Sequence, residues 1–101
     1  MTGLAKYEPD RGSNTYQFRD FYIPDRMMTV LKAYVEHHRP VGSFLTAVLE
    51  NNLKMTIGHA DEENEANLPA YIGWLYNEAP RACWGSPENV RKWLEKSDEE
   101  N

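Results

Sequence analysis

The stretch from Leu75 to Leu94 constrains this chain most, because it must end one helix and begin another within a few residues. It reads Leu-Tyr-Asn-Glu-Ala-Pro-Arg-Ala-Cys-Trp-Gly-Ser-Pro-Glu-Asn-Val-Arg-Lys-Trp-Leu. Ala79 precedes Pro80, and a residue before proline is pushed out of the helical region, so the first helix stops there. Gly85 can take a positive φ that other residues avoid. Ser86 is a good N-cap, and Pro87 at the first helical position loses nothing by lacking an N–H. Glu88 then lies in the first turn, where the helix dipole favours an acid. Val90, Trp93 and Leu94 recur at helical spacing and give the last helix a stripe to bury. Two readings of the corner follow. In one, Trp84 is a plug between two helices. In the other, Tyr76, Asn77, Arg81, Trp84 and Ser86 line a shallow polar-aromatic pocket.

The rest of the chain predicts helices on either side of turn chemistry. Residues 1–22 are polar and then aromatic. Glu8-Pro9-Asp10-Arg11-Gly12 reads as loop, and Tyr16 and Phe18 alternate with polar neighbours as in a short strand. No second strand is evident, so this segment is expected as an extended aromatic arm. Ile23-Pro24-Asp25 starts a first helix over 25–38, with Met27, Leu31, Tyr34, Val35 and His38 on one face. A second helix is expected over 44–57 behind Ser43, with Leu45, Val48, Leu49 and Leu53 as its stripe and Gly58 as its cap. Asn51 and Asn52 sit inside it as poor formers, so at least one makes a specific hydrogen bond or faces solvent. A third begins near Asp61, and Leu68-Pro69 kinks or restarts it. Its expected buried face is Leu68, Tyr71, Ile72 and Leu75, and Gly73 permits a close contact. The fourth spans 87–96. The fold class is therefore all-α: three main helices plus a short C-terminal helix, with an extended aromatic N-terminal arm. The units are the arm (1–22), one helical domain (23–96) and an acidic tail (97–101).

With 101 residues the core is modest, and mean hydropathy of -0.74 is polar, so self-association into a homo-oligomer is expected. The formal net charge of -5 disfavours duplex DNA and anionic membranes as partners. Residues 1–42 carry six Lys and Arg against five Asp and Glu; residues 43–101 carry five against eleven. One cysteine excludes an internal disulfide and fits a reducing compartment. Neither a leader-like apolar run nor a span of about 20 apolar residues occurs, so a cytoplasmic location is expected.

Catalytic chemistry lacks its parts. The metal-ligand candidates are His37, His38, His59 and Cys83, but adjacent His37 and His38 point apart on a helix and do not make an i, i+4 pair. Asp61, Glu62 and Glu65 form one acidic cluster, with Glu50 the sole supplement for a magnesium site. Cys83 has Arg81 nearby but no triad spacing, and no glycine-rich phosphate loop exists. No cofactor, no metal and no catalytic residue is assigned. What remains is a richness in aromatic, arginine and asparagine side chains. These can stack on bases or anchor a protein interface.

Ile23-Pro-Asp-Arg-Met27, Gly42-Ser-Phe-Leu-Thr-Ala-Val-Leu49, Asn52-Leu53, Ala60-Asp61, Glu63-Asn64, Leu75-Tyr-Asn-Glu-Ala-Pro80 and Cys83-Trp-Gly-Ser-Pro87 resemble a family of small proteins encoded by tailed phages and prophages. The likeness spans about residues 22–95. It implies a small cytoplasmic accessory protein of the infected host cell, dispensable for building the virion, and carries no catalytic role. Such proteins often counter host defence. The expectation is then a non-enzymatic protein that sequesters a small phosphorylated nucleotide signal, with the corner as its site. The alternative is an inhibitor that presents its acidic helix, Asp61 to Glu65, to a host protein.

Overall fold

A computed structural model describes residues 15–100, with side chains as far as Lys96; the expectations for residues 1–14 and for Asn101 lie outside it. The aromatic arm is not an unpaired strand. β1 (Tyr16–Phe18) pairs antiparallel with β2 (Phe21–Ile23), Tyr16 opposite Ile23 and Phe18 opposite Phe21. The loop is Arg19-Asp20, and Arg19 takes φ 56°, the left-handed geometry that a two-residue hairpin requires. The guanidinium lies 4.8 Å over the Phe18 ring, and Gln17 Nε2 bonds the Arg19 carbonyl at 3.0 Å. The fold is thus mostly helical with a small sheet, not all-α. Second-strand residues Phe21-Tyr22-Ile23 run straight into the helix start at Pro24, which concealed them.

Helix α1 (Asp25–His37) buries Met28, Leu31 and Tyr34. Met28, not Met27, is its core methionine. The helix ends at His38, which is left-handed at φ 56°. The expected second helix is two: α2 (Ser43–Leu49) and α3 (Leu53–His59). Asn51 at φ 64° makes the elbow; its N–H bonds Val48 O at 3.1 Å, and the Asn52 N–H bonds Ala47 O at 2.9 Å. This is a Schellman cap, with asparagine in the left-handed position usually given to glycine. The Asn52 side chain then caps α3, accepting from Met55 N at 3.2 Å. Gly58 lies inside α3, which is capped by Ala60.

The third segment restarts at Leu68, giving α4 (Glu62–Ala66) and α5 (Leu68–Glu78). Asn67 bridges the break. Its Oδ1 accepts from Tyr22 N and its Nδ2 donates to Glu63 O, both at 2.9 Å. Tyr22 donates its hydroxyl to one Glu63 oxygen, and Arg26 donates to the other at 2.9 Å. That bond to Glu63 raises the Arg26 pKa above its ordinary value. Buried Tyr71 donates to Asn64 Oδ1 at 2.5 Å. The hairpin is therefore stapled to α4 and α5 by a polar seam, and Phe18 covers Gly73 so closely that a Cβ there would lie 2.5 Å from the ring.

Helix α6 (Pro87–Glu100) runs through the expected tail as far as Glu100. Trp93 fixes it to α1. Its indole N–H donates to Tyr34 O at 2.8 Å, while His38 Nδ1 donates to the Trp93 carbonyl at 2.9 Å. A carbonyl only accepts, so that nitrogen carries the proton. The two rings lie 4.5 Å apart. The core joins Ile23, Leu31, Phe44, Leu49, Tyr71 and Leu75 with Cys83 and Val90. No helix among the described residues is long and apolar enough to cross a membrane.

Candidate functional site

The corner between α5 and α6 is built from its proline stop outward. Pro80 sits at φ -62°, ψ 141°, and a single 3-10 turn, Arg81–Cys83, follows. Trp84 is extended, Gly85 takes φ 109°, and Ser86 caps α6 by accepting from Asn89 N at 3.1 Å. Gly85 meets its turn at a φ that costs a side-chain-bearing residue dearly.

Backbone groups of the corner are tied to three helices. Tyr34 on α1 donates its hydroxyl to Cys83 O at 2.7 Å. The Gly85 N–H donates to Leu49 O, at the end of α2, at 2.7 Å. Asn89 Nδ2 on α6 donates to Trp84 O at 2.9 Å. The turn is thus held rigid before anything binds. At the start of α6 several of the donors that an anion would want are absent or taken. Pro87 has no N–H, and those of Asn89 and Val90 go to Ser86. Arg81 is the one cation that lines the corner among the described residues.

A cavity of about 350 Å³ opens here, lined by Leu75, Tyr76, Ala79, Arg81, Trp84 and Gly85. Of the five residues read from sequence, three meet in it. Tyr76 is 74% exposed and stands edge-on to Trp84, ring centroids 5.1 Å apart. Arg81 is exposed and forms no ion pair among the described residues. Trp84 is half-buried, both packed on the core and presented to the cavity. The other two are elsewhere. Asn77 turns toward the hairpin and donates to the Tyr16 hydroxyl at 3.3 Å. Ser86 is not among the lining residues; its oxygen accepts the cap bond and its O–H is left over.

Cys83 is wholly buried, and desolvation pushes its thiol up to about 11, so at neutral pH it is not a thiolate. Among the described residues no three His, Cys, Asp or Glu side chains group as a metal site. The acidic segment is partly committed. Asp61 caps α4 by accepting from Asn64 N at 2.7 Å, and Arg26 takes Asp61 at 3.5 Å and Glu63 at 2.9 Å. Glu62 and Glu65 remain exposed.

Sequence reading missed an exposed apolar face. Leu53 is 72% exposed, and Ile57 and Ile72 are each above 40%. Leu53 and Ile72 flank a narrow groove of about 120 Å³ between α3 and α5. Hydrophobic spacing marked both for burial; only the elbow at Asn51 reveals that α3 swings out, and its angle is not readable from spacing. Comparison with family profiles, curated proteins and solved structures found no match.

Proposed function

We propose that this chain is a non-enzymatic binding protein that sequesters a small phosphorylated nucleotide at the α5–α6 corner, in keeping with an accessory role in a phage-infected cell. One observation carries the reading: Arg81, without an ion pair among the described residues, and the Tyr76–Trp84 pair border one 350 Å³ cavity on a turn tied to three helices. A base stacked on an aromatic face contributes about 1–3 kcal/mol, and a pre-formed site avoids the ordering cost of a loop. Arg81 supplies the charge for phosphate. Glu78 and Glu88 are exposed near the corner and favour ligands of low charge.

The test is titration of the purified chain with nucleoside phosphates and cyclic nucleotides, run beside an Arg81→Ala variant. Arg81→Ala is expected to weaken binding about tenfold or more with its melting temperature unchanged. Unchanged affinity with unchanged stability removes the corner as the site. Mass spectrometry of small molecules released from protein purified out of infected cells identifies the ligand directly.

A second reading has its own support. The exposed face of Leu53, Ile57, Ile72 and Tyr76 suits a protein partner, and the free acids Glu62 and Glu65 suit a basic one. Capture of a single host protein, lost on Leu53→Asp, selects the inhibitor.

A further inference from the structure

A larger cavity, about 450 Å³, lies on the other side of the Leu49–Gly85 tie in sequence, between the loop before α2 and the α2–α3 elbow. Its walls combine apolar Val41 and Met55 with polar Ser43, Glu50, Asn52 and His59. Thr46 bonds Val41 O and Asn52 caps α3, and other polar groups here keep free capacity among the described residues. Glu50 is half-buried, and its carboxylate meets no donor among the described residues. It also stands at the C-terminal end of α2, where the helix dipole disfavours an acid. Asn52 uses its oxygen for Met55 N, and its Nδ2 donor meets no acceptor among the described residues. The Glu50 carboxylate is open to solvent at the cavity wall, so both its oxygens are available to a ligand.

We propose that this cavity is a second binding site, for a planar group that presents two adjacent N–H donors to Glu50. A carboxylate accepts such a pair with both oxygens. Val41 and Met55 supply apolar walls for a flat group, and Ser43 and Asn52 supply polar contacts at its rim. Two sources share this chemistry: the edge of a guanine base and a guanidinium. Adenine lacks the paired donors and is rejected. The site neither includes Arg81 nor needs phosphate, so it stands or falls apart from the corner.

The experiment is nuclear magnetic resonance titration of the full chain with guanosine, agmatine and adenosine separately. The expected result is shifts in the amides of residues 41–59 with guanosine or agmatine, and none with adenosine. Shifts with guanosine alone identify a base site, and shifts with agmatine alone a guanidinium site. Glu50→Gln removes the charge at constant shape and is expected to weaken binding about tenfold or more. Met55→Trp alters an exposed position, fills the cavity and gives the same loss should Glu50→Gln fail to fold. Absence of shifts with guanosine and agmatine alike, or equal affinity in Glu50→Gln and Met55→Trp, overturns the proposal.

Discussion

Gly73→Ala reads out whether the hairpin is truly seated on α5. In an ordinary helix interior, alanine gains about 1 kcal/mol over glycine. Here its Cβ would stand 2.5, 2.8 and 2.9 Å from three atoms of the Phe18 ring. Carbon atoms do not approach so closely, so the ring, and with it the β1 end of the hairpin, must move. Overpacking of this kind costs about 1–3 kcal/mol. The net is a loss of about 1 kcal/mol, or a fall in Tm of roughly 4–8 °C for a domain of this size. The discriminating assay is thermal or denaturant unfolding of Gly73→Ala in two backgrounds, parent and Phe18→Ala. With the ring gone the clash vanishes and only the helix gain is left, so the sign of the effect inverts. The two substitutions should therefore couple by about 2 kcal/mol. Equal destabilisation in both backgrounds, or a stabilised single variant, would refute the seating of Phe18 on Gly73.

Alkaline conditions should weaken the fold. Tyr34, Tyr71 and Cys83 are buried acids whose pKa values all rise on burial, Cys83 from 9.0 to about 11. Their folded states bind protons more tightly than the unfolded chain; the Cys83 contribution is complete below pH 9 and is lost as pH climbs through 11, and the contributions of the two tyrosines are lost at higher pH still. The denaturant midpoint should fall over that window, and Cys83→Ala should flatten the early part of the fall; a midpoint independent of pH to 11 contradicts this. Self-association is expected through the exposed apolar face. Leu53→Asp should lower the mass seen by light scattering at micromolar concentration while leaving the circular dichroism spectrum intact. A parent chain that is already a monomer removes the idea.

Legibility from sequence followed how local the chemistry was. The starts at Pro24-Asp25 and Ser86-Pro87 were readable, because a cap and a proline act on their own neighbours. The Asn51-Asn52 pair announced trouble inside a helix without saying that the chain would turn there. The hairpin was opaque. Its strands are three residues each, and its Arg19-Asp20 loop lacks the glycine or asparagine that marks a tight turn. That one omission displaced a site residue, since Asn77 belongs to the hairpin side of α5. Ser86 is occupied for another reason: its oxygen accepts from Asn89 N to cap the helix, which leaves the O–H donor. Leu53 and Ile72 show a limit of hydrophobic spacing. It states which side chains prefer cover, not whether the fold supplies any.

The bond from the Trp93 indole to the Tyr34 carbonyl spans 59 positions of a 101-residue chain. The ribosome makes Tyr34 long before it makes Trp93. Throughout that interval the end of α1 lacks the indole that lies on it, the left-handed His38 lacks the carbonyl it donates to, and the core lacks Cys83 and Val90. A nascent chain of this protein therefore cannot close α1 early and wait; its last helix is the latch. A product cut short before Trp93 would leave the Tyr34 carbonyl without the indole donor and His38 without its acceptor.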